Sequence, residues 1–200
     1  VDDPDAVEKK LSGMPGVAAI TRRLTFSGLI SRGDKTLTCQ GIGIVAEKEE
    51  EMSDFETIVD GTRLEPDSAD GGIVGIELMK ALGAKVGDYL TILTTTTDGV
   101  INAVEFKVVG VAQTGSQEYD SVFVKLPMKL VQNLLNTRSA EKILILFKET
   151  EELPKAVPLL REVINKNNLD LEFRLWSDIA IFYKKVVALY DGIFSVIKVI

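Results

Sequence analysis

"GGIVGIELMKALGAKVGDYLTI", residues 71–92, decides how this chain is read, because a Gly-rich run opening onto a short apolar helix is either a phosphate cradle or scaffolding. A nucleotide loop follows its glycines with Lys-Ser or Lys-Thr at the start of the helix. Here Gly75 is followed by Ile76, Glu77 and Leu78, and a carboxylate in that place repels phosphate. The same residues suit a scaffold. Gly71 and Gly72 relieve the backbone ahead of a short strand at Ile73 and Val74. Residues 77–82 make about two helical turns with Leu78, Met79 and Leu82 on one side, and Gly83 caps them. Gly87-Asp88 turns the chain into a Thr-rich strand over 89–97. Asp98-Gly99 has the chemistry of a two-residue hairpin turn, and residues 100–111 return.

Toward the N-terminus, residues 5–11 read as a short helix stopped by Gly13 and Pro15. Ile20, Leu24, Phe26 and Ile30 then alternate with Thr21, Arg23, Thr25 and Ser27, the period of a half-buried strand, and "RGDK" turns the chain into a second strand over 36–45. Toward the C-terminus, "DSVFVKLPMKLVQNLL" reads as a strand whose Pro127 starts a helix. Residues 141–148, 154–166 and 171–176 follow as strand, helix and strand, and Ser177 caps a last helix. The strand pair 17–45 is expected to share a sheet with 141–148 and 171–176. "VVALYDGIFSVIKVI", residues 186–200, carries Val186, Leu189, Ile193, Val196 and Ile200 three or four apart, the stripe of a helix entering a membrane, with residues 1–5 close by.

Composition narrows the chemistry. The chain has 200 residues, 46% of them hydrophobic, enough for one good core or two small ones. A net charge of -7, with acidic residues clustered at 47–51, argues against nucleic acid, which needs a concentrated basic face. With no histidine, the commonest general base and metal ligand are missing, and Ser-His, Cys-His and zinc mechanisms lack their parts. Cys39, the one cysteine, reads as a small buried residue. "GIGIVA" at 41–46 fits the dinucleotide fingerprint, with Asp60 further on, and makes a soluble dinucleotide-binding enzyme built around Gly41 and Gly43 the rival from another class. Its context is poor: Ile44 and Val45 continue the strand and the residues after Ala46 are charged, so these glycines are expected to keep a strand thin where another element crosses it. Arg32-Gly33-Asp34 reads as a hairpin turn. Asp67, Asp70, Glu118 and Asp120 match no calcium-loop spacing and read as turns, and Phe173 and Trp176 read as core.

The order of "GGIVGIELMKALGAKVGDYLTI", "FKVVGVAQTG", "YDSVFVKLPMKLVQNLL" and Trp176-Ser177 ahead of an apolar helix resembles the extracytoplasmic domain of the MacB and FtsX-like ABC transporter permeases, the family that includes the lipoprotein-releasing permeases LolC and LolE. The resemblance covers nearly the whole chain. It implies an α+β fold of two lobes: a porter-like, βαβ-containing membrane-proximal lobe, residues 1–58 plus 138–185, and an inserted mixed α/β outer lobe, residues 59–137, with 186–200 starting a transmembrane helix. It places the domain on the periplasmic side of the inner membrane. It further implies a cytoplasmic ATPase subunit or domain, a second permease copy, a periplasmic carrier or adaptor protein, and membrane at both chain ends. The domain is then no enzyme and takes no cofactor or metal; it passes motion driven by ATP hydrolysis to export, efflux or lipoprotein release, or, in FtsX-like members, to a cell-wall hydrolase. The resemblance names no partner-binding residues. Lipoprotein-releasing members capture their carrier with a long hairpin, and the matching "TTTTDGVINA" is short, which favours a general exporter.

Overall fold

The computed structural model describes residues 1–49, 52, 55–166 and 171–179. Helix α1 (Pro4–Leu11) is capped by Asp3, whose carboxylate accepts from the Ala6 amide, and leads to the sixteen-residue strand β1 (Val17–Arg32). Gly33-Asp34 forms a two-residue turn with Gly33 at φ 60°, the glycine-first pattern of a tight hairpin, and β2 (Lys35–Ile44) returns beside β1. Then come α2 (Ala46–Glu49), β3 (Thr57–Gly61), β4 (Gly71–Gly75), α3 (Ile76–Leu82), β5 (Tyr89–Thr95), β6 (Ile101–Gln113), α4 (Gln117–Asp120), β7 (Phe123–Pro127), α5 (Met128–Leu135), β8 (Lys142–Phe147), α6 (Leu153–Lys166) and α7 (Trp176–Ile179).

The strands form one mixed sheet, and six of them close on themselves. The pairings run β1, β2, β7, β4, β6, β5 and back to β1, parallel at β2–β7 and β4–β6 and antiparallel elsewhere. A ring this small has room inside only for side chains. Leu24, Phe26, Ile30, Cys39, Leu90, Ile92, Phe106, Val108, Val124 and Leu126 fill it. Neighbouring strands β4 and β7 run antiparallel, and each passes directly into a helix, so α3 and α5 leave opposite ends of the ring. Leu78, Met79 and Leu82 of α3 and Met128, Val131 and Leu134 of α5 complete its core. Gly83 (φ 65°) and Asn136 (φ 52°) end these helices in the left-handed conformation.

Strand β1 also serves a second layer. At Arg23 it pairs with Ile44 of β2 on one edge and Lys142 of β8 on the other. Its first half, β8, α1 and α6 enclose a separate cluster of Val7, Leu11, Met14, Ile20 and Leu160. The fold is thus α+β, with more than a hundred residues of sequence separating the paired strands β1 and β8.

Four local expectations change. Residues 171–175 form no strand: Leu171 and Phe173 alternate into the second cluster, but no ladder receives their backbone. The next helix starts at Trp176, ahead of Ser177, and everything expected of residues 180–200 lies outside the described residues. The β5–β6 connection has three residues between the paired Thr96 and Val100, with Gly99 at φ 83° absorbing the extra one, because a Thr96–Gly99 turn of ordinary hand needs a left-handed residue to rejoin the ladder. Strand β3 was not marked by any alternation, since its outer edge is solvated and only Ile58 is half-buried. Among the described residues no helix is long and apolar enough to cross a membrane.

Gly41 lies under the Phe26 ring, where an added Cβ would collide with three ring atoms, whereas nothing lies near Gly13. Gly41→Ala should cost about 1–3 kcal/mol in denaturant unfolding, Gly13→Ala should change little, and Gly41→Ala with Phe26→Leu should regain part of the loss. Equal stability of the two single variants would refute this packing.

Candidate functional site

The glycines of residues 71–75 lie against the protein's own atoms. A Cβ on Gly72 would strike Phe106 and Leu126, and one on Gly75 would strike the backbone of Asp120. A Cβ on Gly43 would press on Val131 at the end of the ring. All three serve contacts inside the protein. Strand β2 passes into the charged α2, and among the described residues no apolar helix follows the "GIGIVA" glycines to hold a dinucleotide.

The other sequence candidates are dispersed. Asp120 is buried and accepts from the Thr114 amide (2.9 Å) and hydroxyl (2.7 Å), closing the loop ahead of α4. Asp67 is exposed, and Asp70, also exposed, gives its carbonyl to the Lys107 amide. Glu118 is exposed on α4. No cluster of carboxylates or cysteine suited to a metal exists among the described residues. Cys39 lies inside the ring with its thiol pushed up to about 12 by burial, which makes it a packing residue and a poor nucleophile. Phe173 carries the Arg161 guanidinium 5.3 Å from its ring centre and packs on the second cluster, but Trp176, expected in the core, is 68% exposed. With residues 171–175 unpaired, no sheet carries it inward.

What the sequence reading missed is a line of charges where the two layers meet. Arg22 of β1 bonds Asp5 (2.8 Å) and lies 3.5 Å from Glu8, both on α1, and Glu8 also pairs with Lys48 of α2. The neighbouring Glu49 pairs with Arg23 of β1, and Glu56, ahead of β3, pairs with Lys125 in the middle of β7. Glu49, Glu56 and Lys125 are all buried. The signal that could have found it is Lys125, a cation between Val124 and Leu126 in an otherwise apolar strand, a position that demands a buried partner. The acidic run at 47–51, read only as an argument against nucleic acid and against a dinucleotide helix, holds Glu49 of this line.

Between these charges lies a cavity of about 30 Å³, lined by Glu49, Glu56, Arg63 and Lys125 with Ile44, Ile73 and neighbours. That is room for one water and no substrate. Oε2 of Glu49 and Oε2 of Glu56 are buried without a hydrogen-bond partner, as such a water would require. Burial pushes the Lys125 amine down to about 8, outweighing the Glu49 carboxylate that favours the charged form, and Arg23 adds to the depression. Tyr119, which packs on Phe123 and Phe55, has its phenol raised by burial and partly brought back by Arg23. The arrangement ties elements together; it presents no reactive group to a ligand. A larger open groove of about 450 Å³ runs between α1, β1 and α2, and its charged walls are the already paired Asp5, Glu8 and Lys48, with Lys9.

The family model described as MacB-like periplasmic core domain matches residues 1–163. The lipoprotein-releasing system transmembrane protein LolE of Haemophilus influenzae is 29% identical over 94 residues, 46% of this chain and 23% of LolE, so the chain spans under a quarter of that relative. Two solved structures share the fold. The extracellular domain of the noncanonical ABC-type transporter YknZ from Gram-positive bacteria has a TM-score of 0.63 at 12% identity, covering 80% of this chain and 81% of that one. The periplasmic region of MacB from Actinobacillus actinomycetemcomitans has a TM-score of 0.58 at 18% identity, covering 80% and 73%.

Removing one partner of a buried ion pair strands the other. Lys125→Met should lower stability by about 3–5 kcal/mol, and adding Glu56→Leu should restore most of it. Wild-type stability should also respond to alkali. Because the folded amine titrates near 8 and the ordinary lysine value is 10.5, the folded state binds fewer protons in that window. The Lys125 contribution therefore rises from pH 8 to 10.5 and is flat below. Lys125→Met should abolish that slope in denaturant titrations, and an unchanged slope would show that Lys125 is not its source.

Proposed function

The chain belongs to the family of MacB-like periplasmic core domains, and from that premise we propose that it is the extracytoplasmic domain of an ABC transporter permease subunit whose work is mechanical. ATP is hydrolysed by a cytoplasmic subunit or domain. The domain carries the resulting motion, as a stiff body, to the substrate or to a partner outside the membrane, with export or efflux as the outcome. In the division we propose, residues 1–58 with 138–185 form the membrane-proximal lobe and 59–137 the inserted one, and β1 and β2 reach from the first into the second to complete its ring.

The observation that carries this reading is the continuity of β1. One strand of sixteen residues, about 50 Å at 3.3 Å per residue, is bonded to β8 in its first half and to β2 and β5 in its second. A displacement applied at one layer reaches the other through extended backbone with no intervening loop. The Arg23–Glu49 pair ties the crossing point to α2, and the buried Lys125–Glu56 pair holds the segment ahead of β3 to the wall of the ring.

Detergent-solubilised full-length protein should retain a cytoplasmic ATPase on purification and turn over ATP. Retention of a cell-wall hydrolase as well would assign the FtsX-like role. Purification with no ATPase, together with saturable NAD binding lost in Gly43→Ala, would replace the proposal with the dinucleotide enzyme.

A further inference from the structure

Three Asp-Gly steps lie among the described residues, at Asp60-Gly61, Asp70-Gly71 and Asp98-Gly99. Such a step is chemically weak, because glycine has no side chain to keep its amide nitrogen away from the preceding carboxyl group. What becomes of each depends on where that nitrogen and that carboxyl are held. At Asp98-Gly99 both are engaged elsewhere: the Gly99 amide donates to the Thr96 carbonyl (3.0 Å), and the Asp98 carboxylate accepts from the Asn136 side-chain amide (3.1 Å). At Asp70-Gly71 the glycine is buried in the β4–β6 ladder, and the Asp70 carbonyl accepts from the Lys107 amide (2.8 Å). At Asp60-Gly61 the Gly61 amide donates to the Asp60 carboxylate itself (2.9 Å), so nucleophile and electrophile already touch. Both residues are exposed.

The fold makes this step compulsory. Gly61 takes the left-handed conformation (φ 74°), and a Cβ there would strike the Val109 carbonyl across the ladder, so a side chain is excluded on both counts. Strand β3 is also held on one side only. Among the described residues it pairs with β6 and with no other strand, and the irregularity between Ile58 and Asp60 interrupts that ladder just ahead of the step. We infer that Asp60 is a site of spontaneous covalent modification, converting to isoaspartate through a cyclic imide. The Gly61 nitrogen turns its proton off the carboxyl group and attacks Cγ of the protonated Asp60 side chain. A C–N bond forms, the C–OH bond breaks, the amide proton passes to solvent and a molecule of water leaves. Water then opens the imide at either carbonyl. Opening at Cγ restores aspartate, whereas opening at the original backbone carbonyl leaves the main chain running through the side-chain carbon, one carbon longer. The longer link cannot keep Asp60 opposite Val111 and Gly61 opposite Gly110 together, so β3 loses its register on β6.

The test holds the full-length protein, in detergent, in mildly acidic heavy-oxygen water, where every imide that opens takes up one heavy oxygen whichever carbonyl is attacked. Trypsin separates the three steps into residues 49–63, 64–80 and 86–107, and fragment masses locate the label. Asp60 should take up heavy oxygen several times faster than Asp70 or Asp98. In concentrated guanidinium, where the folded contacts are gone, the three rates should draw together. Asp60→Glu, whose longer side chain closes the ring poorly, should stop the uptake at that position. An Asp60 rate no higher than that of Asp98 in the folded protein, a ranking that survives in guanidinium, or undiminished uptake at position 60 in Asp60→Glu overturns the inference.

Discussion

A single strand shared by two layers of one sheet constrains everything else in this domain. β1 must alternate correctly for the ring, where Leu24, Phe26 and Ile30 point inward, and must also present Ile20 to the cluster beneath α1 and α6. A one-residue slip anywhere along it would turn the ring residues outward in one layer or expose the core of the other. The register irregularity between Val17 and Ala19 lies at the end of the β8 pairing, away from the ring, where it costs the least order.

The ring imposes the glycines. Two phenylalanines, Phe26 and Phe106, fill an interior that six strands keep narrow, and the strands facing them can carry no side chain at Gly41 and Gly72. Backbone approach is what these residues supply, and the same approach elsewhere lets a phosphate near a loop. The sequence signal is therefore shared by two opposite uses. The residues after the glycines separate them: Ile76 and Glu77 stand where a phosphate loop has Lys and then Ser or Thr.

Where the layers meet, ion pairs accompany the packing. Arg22, Glu8 and Lys48 lie at the rim of that seam with Arg23 and Glu49 further in, and Lys125 with Glu56 lies beside it on the wall of the ring. Buried pairs add little net stability, since desolvation offsets attraction. What they add is geometry, because each broken pair leaves an unpaired charge and the cost rises steeply with displacement. A depressed Lys125 amine is the visible trace of that desolvation.

Much of this was legible in the chain. Alternation located β1 and β2, the glycines and Pro127 located α3 and α5, and the order of these segments carried the family. Three things were not. Alternation at Leu171 and Phe173 recorded burial without a pairing partner, so a strand was expected where none forms. The Lys125–Glu56 pair went unread, because its two residues lie sixty-nine apart in sequence and no local pattern joins them. Closure of the ring depends on β2 meeting β7 in parallel, a pairing that no local pattern encodes. The central claim, that the domain moves as one stiff body, is tested most directly by spin-label distances in the full-length permease. Labels at Lys10→Cys on α1 and Val100→Cys at the tip of the ring should keep one distance distribution with and without a trapped ATP analogue. A shift or broadening of that distribution on trapping nucleotide would mean that the seam bends, and would contradict the account.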